Sequence, residues 1–180
     1  MRIQFETSDS CFEIAEYILR RQKEPGSFCH LCPQDLDGIV KELDRLFGKS
    51  DPRVLIFRDD LEVLMGVFNL YIIPEEQYIE ADWGFVTTPS VYDDLIDYFH
   101  GSYPDYHLDA VVTKSNQEMF EAYRKNGLVY QEEQILMDLK EKKSFQRLFI
   151  LMESVKLQEE FIPLANHLVY IMSFRLNLYG

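Results

Sequence analysis

The stretch from Val54 to Val86 constrains this chain more than any other, because it packs three β-rich runs between short turns. Val54 to Arg58 leads into Asp59-Asp60, Val63 to Ile73 leads into Pro74-Glu75-Glu76, and Gln77 to Val86 completes the set. Such turns join antiparallel neighbours, since a parallel connection needs a long crossover. A three-stranded meander is therefore expected at the centre of the fold.

The flanks read as helices and further strands. Arg2 to Glu6 alternates as a strand, and Ser8, Asp9 and Ser10 offer helix-capping oxygens. Cys11 to Gln22 repeats apolar residues at helical spacing through Phe12, Ile14, Ala15, Ile18 and Leu19, until Pro25-Gly26 ends the run. Asp35 to Phe47 is a second amphipathic helix, with Gly48 at its end. Beyond the meander the pattern alternates: helix Val91 to His100, strand Leu108 to Thr113, helix Gln117 to Lys125, and Leu128 to Leu139 as one strand or a tight pair. A meander followed by alternating elements gives an α/β fold, with a mixed sheet and helices on its faces.

The chain's 180 residues suit one domain, and 47% hydrophobic and 14% aromatic content fill its core. The formal net charge of -13 opposes nucleic acid and anionic membranes and is compatible with cationic amines, with solubility alone as the plainer reading. The opening MRIQFETSDS lacks the apolar run of a secretory leader. The most apolar stretch, Phe161 to Tyr179, is broken by Pro163, Asn166, His167, Ser173, Arg175 and Asn177. The odd set Cys11, Cys29 and Cys32 suits a reducing compartment, so a cytoplasmic protein is expected.

The segment Val111 to Gly127, VVTKSNQEMFEAYRKNG, places Tyr123 seven residues after Asn116 and Gly127 four after Tyr123. That spacing puts Asn116 and Tyr123 toward one cleft, two helical turns apart. With the element order, the segment resembles the GNAT acetyltransferase superfamily over roughly residues 1 to 140. The resemblance implies a mixed, twisted, mostly antiparallel sheet flanked by helices and split between its fourth and fifth strands. It implies transfer of an acetyl group from acetyl coenzyme A to an amine by direct attack. Asn116 would contact the cofactor arm, and Tyr123 would protonate the departing thiolate. Read without the resemblance, Asn116 is a helix N-cap and Tyr123 a half-buried aromatic.

One family feature is missing. The glycine-rich loop that wraps the pyrophosphate corresponds here to FVTTPSVYDDLIDYF, Phe85 to Phe99, which has no glycine and no basic residue. The interval from Val86 to Asn116 is also shorter than the family's. Phe85, Val86, Thr87, Thr88 and Ser90 are left as the cofactor-binding candidates, with hydroxyls in place of glycine amides. Asp93 and Asp94 fall in the next helix's first turn, where carboxylates would oppose a pyrophosphate. Weak cofactor binding is expected. A catalytically degenerate binding or oligomerisation module is the alternative.

Glu80 and Asp82 alternate on the fourth strand, so both should point to one face, with Trp83 and Phe85 in the core opposite; the resemblance implies that they are candidate catalytic bases, and a solvated edge face is the alternative. Cys29-His30-Leu31-Cys32 has ligand spacing but no second pair, so no metal is expected. The domain is expected over 1–143, with 144–180 as an apolar extension packed on the domain or on a partner. Within it Leu148, Phe149, Leu151, Met152 and Val155 read as a helical face, and Val155 to Leu168 weakly resembles the opening of a second GNAT domain. So much apolar surface favours a homodimer.

Overall fold

The computed structural model describes residues 1–6, 10–113, 116–137 and 168–177. Its strands are β1 (Arg2–Phe5), β2 (Val54–Arg58), β3 (Leu64–Ile73), β4 (Tyr78–Val86), β5 (His107–Thr113), β6 (Val129–Met137) and β7 (Leu168–Asn177). Its helices are α1 (Cys11–Arg21), α2 (Leu36–Phe47), α3 (Ser90–Ser102) and α4 (Gln117–Lys125), with a 3₁₀ turn at Pro74–Glu76. The strands form one sheet in the order β1-β2-β3-β4-β5-β7-β6. β2, β3 and β4 are antiparallel neighbours, as the short turns require, and β1 pairs antiparallel to β2 after the two helices that separate them. β4 and β5 pair in parallel across the α3 crossover. Leu128 to Leu139 resolves as one strand with no internal turn among its described residues.

β7 falls in the segment that the sequence sets apart as an extension. It enters the same sheet, antiparallel to both β5 and β6. The sequence readings on Leu148 to Val155 and on most of Val155 to Leu168 lie outside the described residues.

Two buried clusters flank the sheet. Ile14, Tyr17 and Ile18 of α1 and Ile39, Leu43 and Leu46 of α2 pack on Val54, Ile56, Val67, Trp83 and Phe85. On the other face Val91, Tyr92, Leu95, Ile96 and Phe99 of α3 and Met119, Ala122 and Tyr123 of α4 cover Leu55, Phe57, Phe68, Ile79 and Ala81. Helical apolar stripes and strand alternation thus meet as their periods dictate.

β4 changes face midway. Asn69 pairs with Trp83 while Leu70 pairs with Ala81, so Asp82 is an extra residue in a β-bulge. Before the bulge, Ile79 and Ala81 lie under α3 and α4; after it, Trp83 and Phe85 lie under α1 and α2. This corrects the expectation from simple alternation: Trp83 and Phe85 sit on the face that carries Glu80, not on the opposite one.

Gly84 follows the bulge, beneath Phe68. A Cβ there would stand 2.6 Å from Phe68 Cε1 and closer still to Cδ1. The Phe68 ring is held edge-on by Phe57 and Tyr92, with centroids 5.4 and 5.7 Å away, so it has little room to yield. Gly84→Ala is expected to destabilise by about 1–2 kcal/mol through overpacking. Urea denaturation would show the midpoint falling; an unchanged midpoint would mean that Phe68 can yield.

Candidate active site

The β4–β5 pairing runs from Tyr78 opposite His107 to Ala81 opposite Ala110 and ends there. Beyond the Asp82 bulge β4 is paired with β3, while β5 continues beside β7. A split opens between Asp82–Val86 and Val111–Thr113. α3 follows one parted strand and α4 the other, so their opening turns sit at the split.

Tyr123 lies behind it. The side chain is fully buried, and its hydroxyl has no hydrogen-bond partner among the described residues. Burial holds the phenol protonated, well above its ordinary range. Its ring meets Tyr92 of α3 edge-on, at 5.6 Å between centroids. Asn116 is 1% exposed. Its Oδ1 accepts from the Met119 amide at 3.1 Å and its Nδ2 points to Met119 Sδ, so its amide is spent on capping α4.

At the end of β4, Phe85 and Val86 are buried in different clusters. The Thr87 amide donates to the Met65 carbonyl at 2.8 Å. Tyr17 Oη donates to the same carbonyl at 2.8 Å, so the Thr87 hydroxyl, 3.1 Å away, donates to Tyr17. The Thr88 and Ser90 hydroxyls lie 3.0 Å apart and are exposed. Pro89 carries no amide proton, and no side chain caps α3. Asp93, expected to oppose an anion here, instead accepts from Lys125 Nζ and Asn126 Nδ2, each at 2.7 Å. Those contacts hold its carboxyl below the usual range and place a cation beside it. The repulsion argued from sequence is thereby offset at Asp93.

Of the base candidates, Asp82 accepts from Asn69 Nδ2 at 3.2 Å, and Arg45 of α2 feels its charge. Glu80 pairs opposite Tyr71, in the register before the bulge. Neither is hydrogen-bonded to Tyr123, which lies with the other buried cluster. Cys29 and Cys32 line the loop between α1 and α2, both buried, with Gln22 bonded to the backbone of each. Burial pushes the Cys32 thiol well up, which makes it inert.

Sequence reasoning missed Arg21 and Glu118. Tyr17 ties α1 to the end of β4, and one turn later Arg21 Nη2 bonds Glu118 Oε2 at 2.9 Å, at the start of α4. α1 therefore straddles the split. The Glu118 amide also donates to the Gly26 carbonyl at 3.2 Å, docking the α1–α2 loop there. The signal was available: Arg21 falls on the apolar phase of α1, after Ile14 and Ile18.

No protein-family model matches the sequence, and no curated protein matches it. The structure does have counterparts. An N-acetyltransferase from Staphylococcus aureus superposes with a TM-score of 0.58 at 11% identity, over 98% of each chain. A GNAT-family acetyltransferase from Bacillus cereus gives 0.56 at 10%, over 98% of this chain and 96% of its own. A spermidine/spermine N-acetyltransferase from Vibrio cholerae gives 0.56 at 10%, over 98% and 92%. At such identities the likeness is one of fold. The chain has the GNAT N-acetyltransferase fold, the class expected from its element order.

Acetyl coenzyme A is the co-substrate this fold implies. A buried phenol with no partner among the described residues would suit its thiol end. The residues suit it less at the phosphate end, where the Thr87 amide is already bonded and glycine is missing.

Proposed function

We propose that this chain is an acetyl-CoA-dependent N-acetyltransferase that acts on an amine acceptor by direct transfer. The observation that carries this reading is the Tyr123 hydroxyl, buried behind the β4–β5 split without a hydrogen-bond partner among the described residues. Folded proteins rarely leave a buried polar atom unsatisfied, and such exceptions concentrate where chemistry needs them. Acetyl coenzyme A would supply the activated acyl group. Tyr123 Oη holds the proton that the departing thiolate requires. Asp82 and Glu80, on the α1–α2 face, are the carboxylates assigned to relieve the acceptor ammonium of its proton. The acidic chain favours a cationic acceptor. The fold neighbours include a spermidine/spermine N-acetyltransferase, which supports the amine class.

Affinity for the co-substrate is expected to be weaker than micromolar, because the β4–α3 turn offers Thr87, Thr88 and Ser90 hydroxyls instead of a ring of free amides. Calorimetric titration with acetyl coenzyme A checks this. Submicromolar binding would refute the weakened-loop argument and strengthen the enzyme reading. No binding at all would favour the second reading, a non-catalytic module of the same fold, for which the bonded Thr87 amide is the specific support.

A cytoplasmic location and a homodimer joined through residues after Ser144 complete the proposal. No helix among the described residues is long and apolar enough to cross a membrane. Light scattering of the whole chain tests the dimer, and a monomer mass removes it.

A further inference from the structure

At the end of β4 remote from the split lies a cavity of about 390 Å³. Phe5, Tyr71, Tyr103 and Tyr106 form its aromatic walls, and Asp51 and Glu75 stand among its lining. The Tyr103 and Tyr106 rings meet at 5.2 Å, inclined by 63°, so they present surfaces at an angle and not a flat stack. Asp51 and Glu75 are exposed, and Glu75 makes no hydrogen bond or ion pair among the described residues.

We propose that this cavity binds an organic ammonium ion, held between aromatic faces and the carboxylates of Asp51 and Glu75. Aromatic faces attract cations through their quadrupole, most strongly where water is excluded. One wall already does so: the Arg53 guanidinium lies over the Tyr71 ring, 3.7 Å from its centroid. That guanidinium opposes a second cation, but two carboxylates against one guanidinium leave the mouth net negative. The chain's charge of -13 adds to the attraction. A compact alkylammonium group suits this lining better than an anion, which the carboxylates repel, or a neutral polar guest, which leaves them unused.

This inference does not rest on acetyl transfer. The test uses tetramethylammonium, which has no N–H to acetylate, and tert-butanol as its neutral counterpart. Both are titrated against the whole chain while the tyrosine ring signals are followed by NMR. Expected are saturable shifts of Tyr71, Tyr103 and Tyr106 with tetramethylammonium and none with tert-butanol. Tyr106→Ala should weaken binding about tenfold through loss of an aromatic wall. Glu75→Gln, an exposed and nearly isosteric change that leaves folding intact, should weaken it about threefold at low salt. The proposal is overturned if no saturable shift occurs, if tert-butanol acts equally, or if Glu75→Gln binds as the parent does.

Discussion

Tyr123→Phe should make the protein more stable and, at the same time, slow acetyl transfer by about 10²-fold. Both effects follow from one atom. The hydroxyl is buried with no hydrogen-bond partner among the described residues, in a side chain that is fully covered. A buried hydroxyl without a partner costs about 1–3 kcal/mol of desolvation, and phenylalanine removes that cost without changing the ring. The ring contact with Tyr92 at 5.6 Å and the packing under α3 survive the change. A gain of about 1 kcal/mol, seen as a higher urea midpoint, is therefore expected. The rate effect needs the proton on Oη, which burial holds in place. If the variant gains stability and loses no rate, Tyr123 is a packing residue and the mechanism needs another acid. If it loses stability, the hydroxyl has a partner and the central observation is wrong. Because the two readouts move in opposite directions, general damage to the fold cannot imitate the result.

Much of the fold was legible because its elements carry strong local periods. The apolar stripes of α1 and α2 and the β-rich run of β3 need no tertiary information. The turns at Asp59 and Pro74 fix the meander, and Asn116 and Tyr123 are spaced by the helix that joins them. What was hidden depends on pairing between distant segments. The bulge at Asp82 has no local signature; it is visible as Leu70 opposite Ala81 beside Asn69 opposite Trp83. It nonetheless reverses the side to which Trp83 and Phe85 point, and the parting of β4 from β5 begins there. β7 was hidden for a related reason. An apolar run in the tail has no marker that assigns it between β5 and β6, because that place is set by long-range ladders. At the site, sequence placed Asp93 by its helix position alone, whereas Lys125 and Asn126 decide where its charge goes.

Glu118→Ala is expected to destabilise the protein by about 2–3 kcal/mol, more than an exposed ion pair ever contributes. Arg21 has a side chain only 7% exposed, while Glu118 is 29% exposed. The guanidinium is held by Glu118 on one nitrogen and Glu24 on another, and its Nε is buried without a partner among the described residues. Removing Glu118 leaves that buried charge half-compensated, and Glu24 keeps the loss below the value for a wholly stripped ion. The reverse replacement should behave differently. Arg21→Met removes the charge and the orphaned Nε while keeping an unbranched apolar stem on the inner face of α1, so it should cost less than about 1 kcal/mol. The double variant should then be no worse than Arg21→Met alone, with a coupling energy of about 2 kcal/mol. Equal losses for both single changes, or simple additivity, would show that Glu118 acts through the cap of α4 or its own packing. Hydrogen exchange adds a local check. The Glu118 amide bonds to the Gly26 carbonyl, so it should exchange faster once the ion pair that holds α1 across the split is gone. Unchanged exchange there, in a variant that is otherwise destabilised, would mean that Arg21 and Glu118 stabilise the fold without fastening the α1–α2 loop to the start of α4.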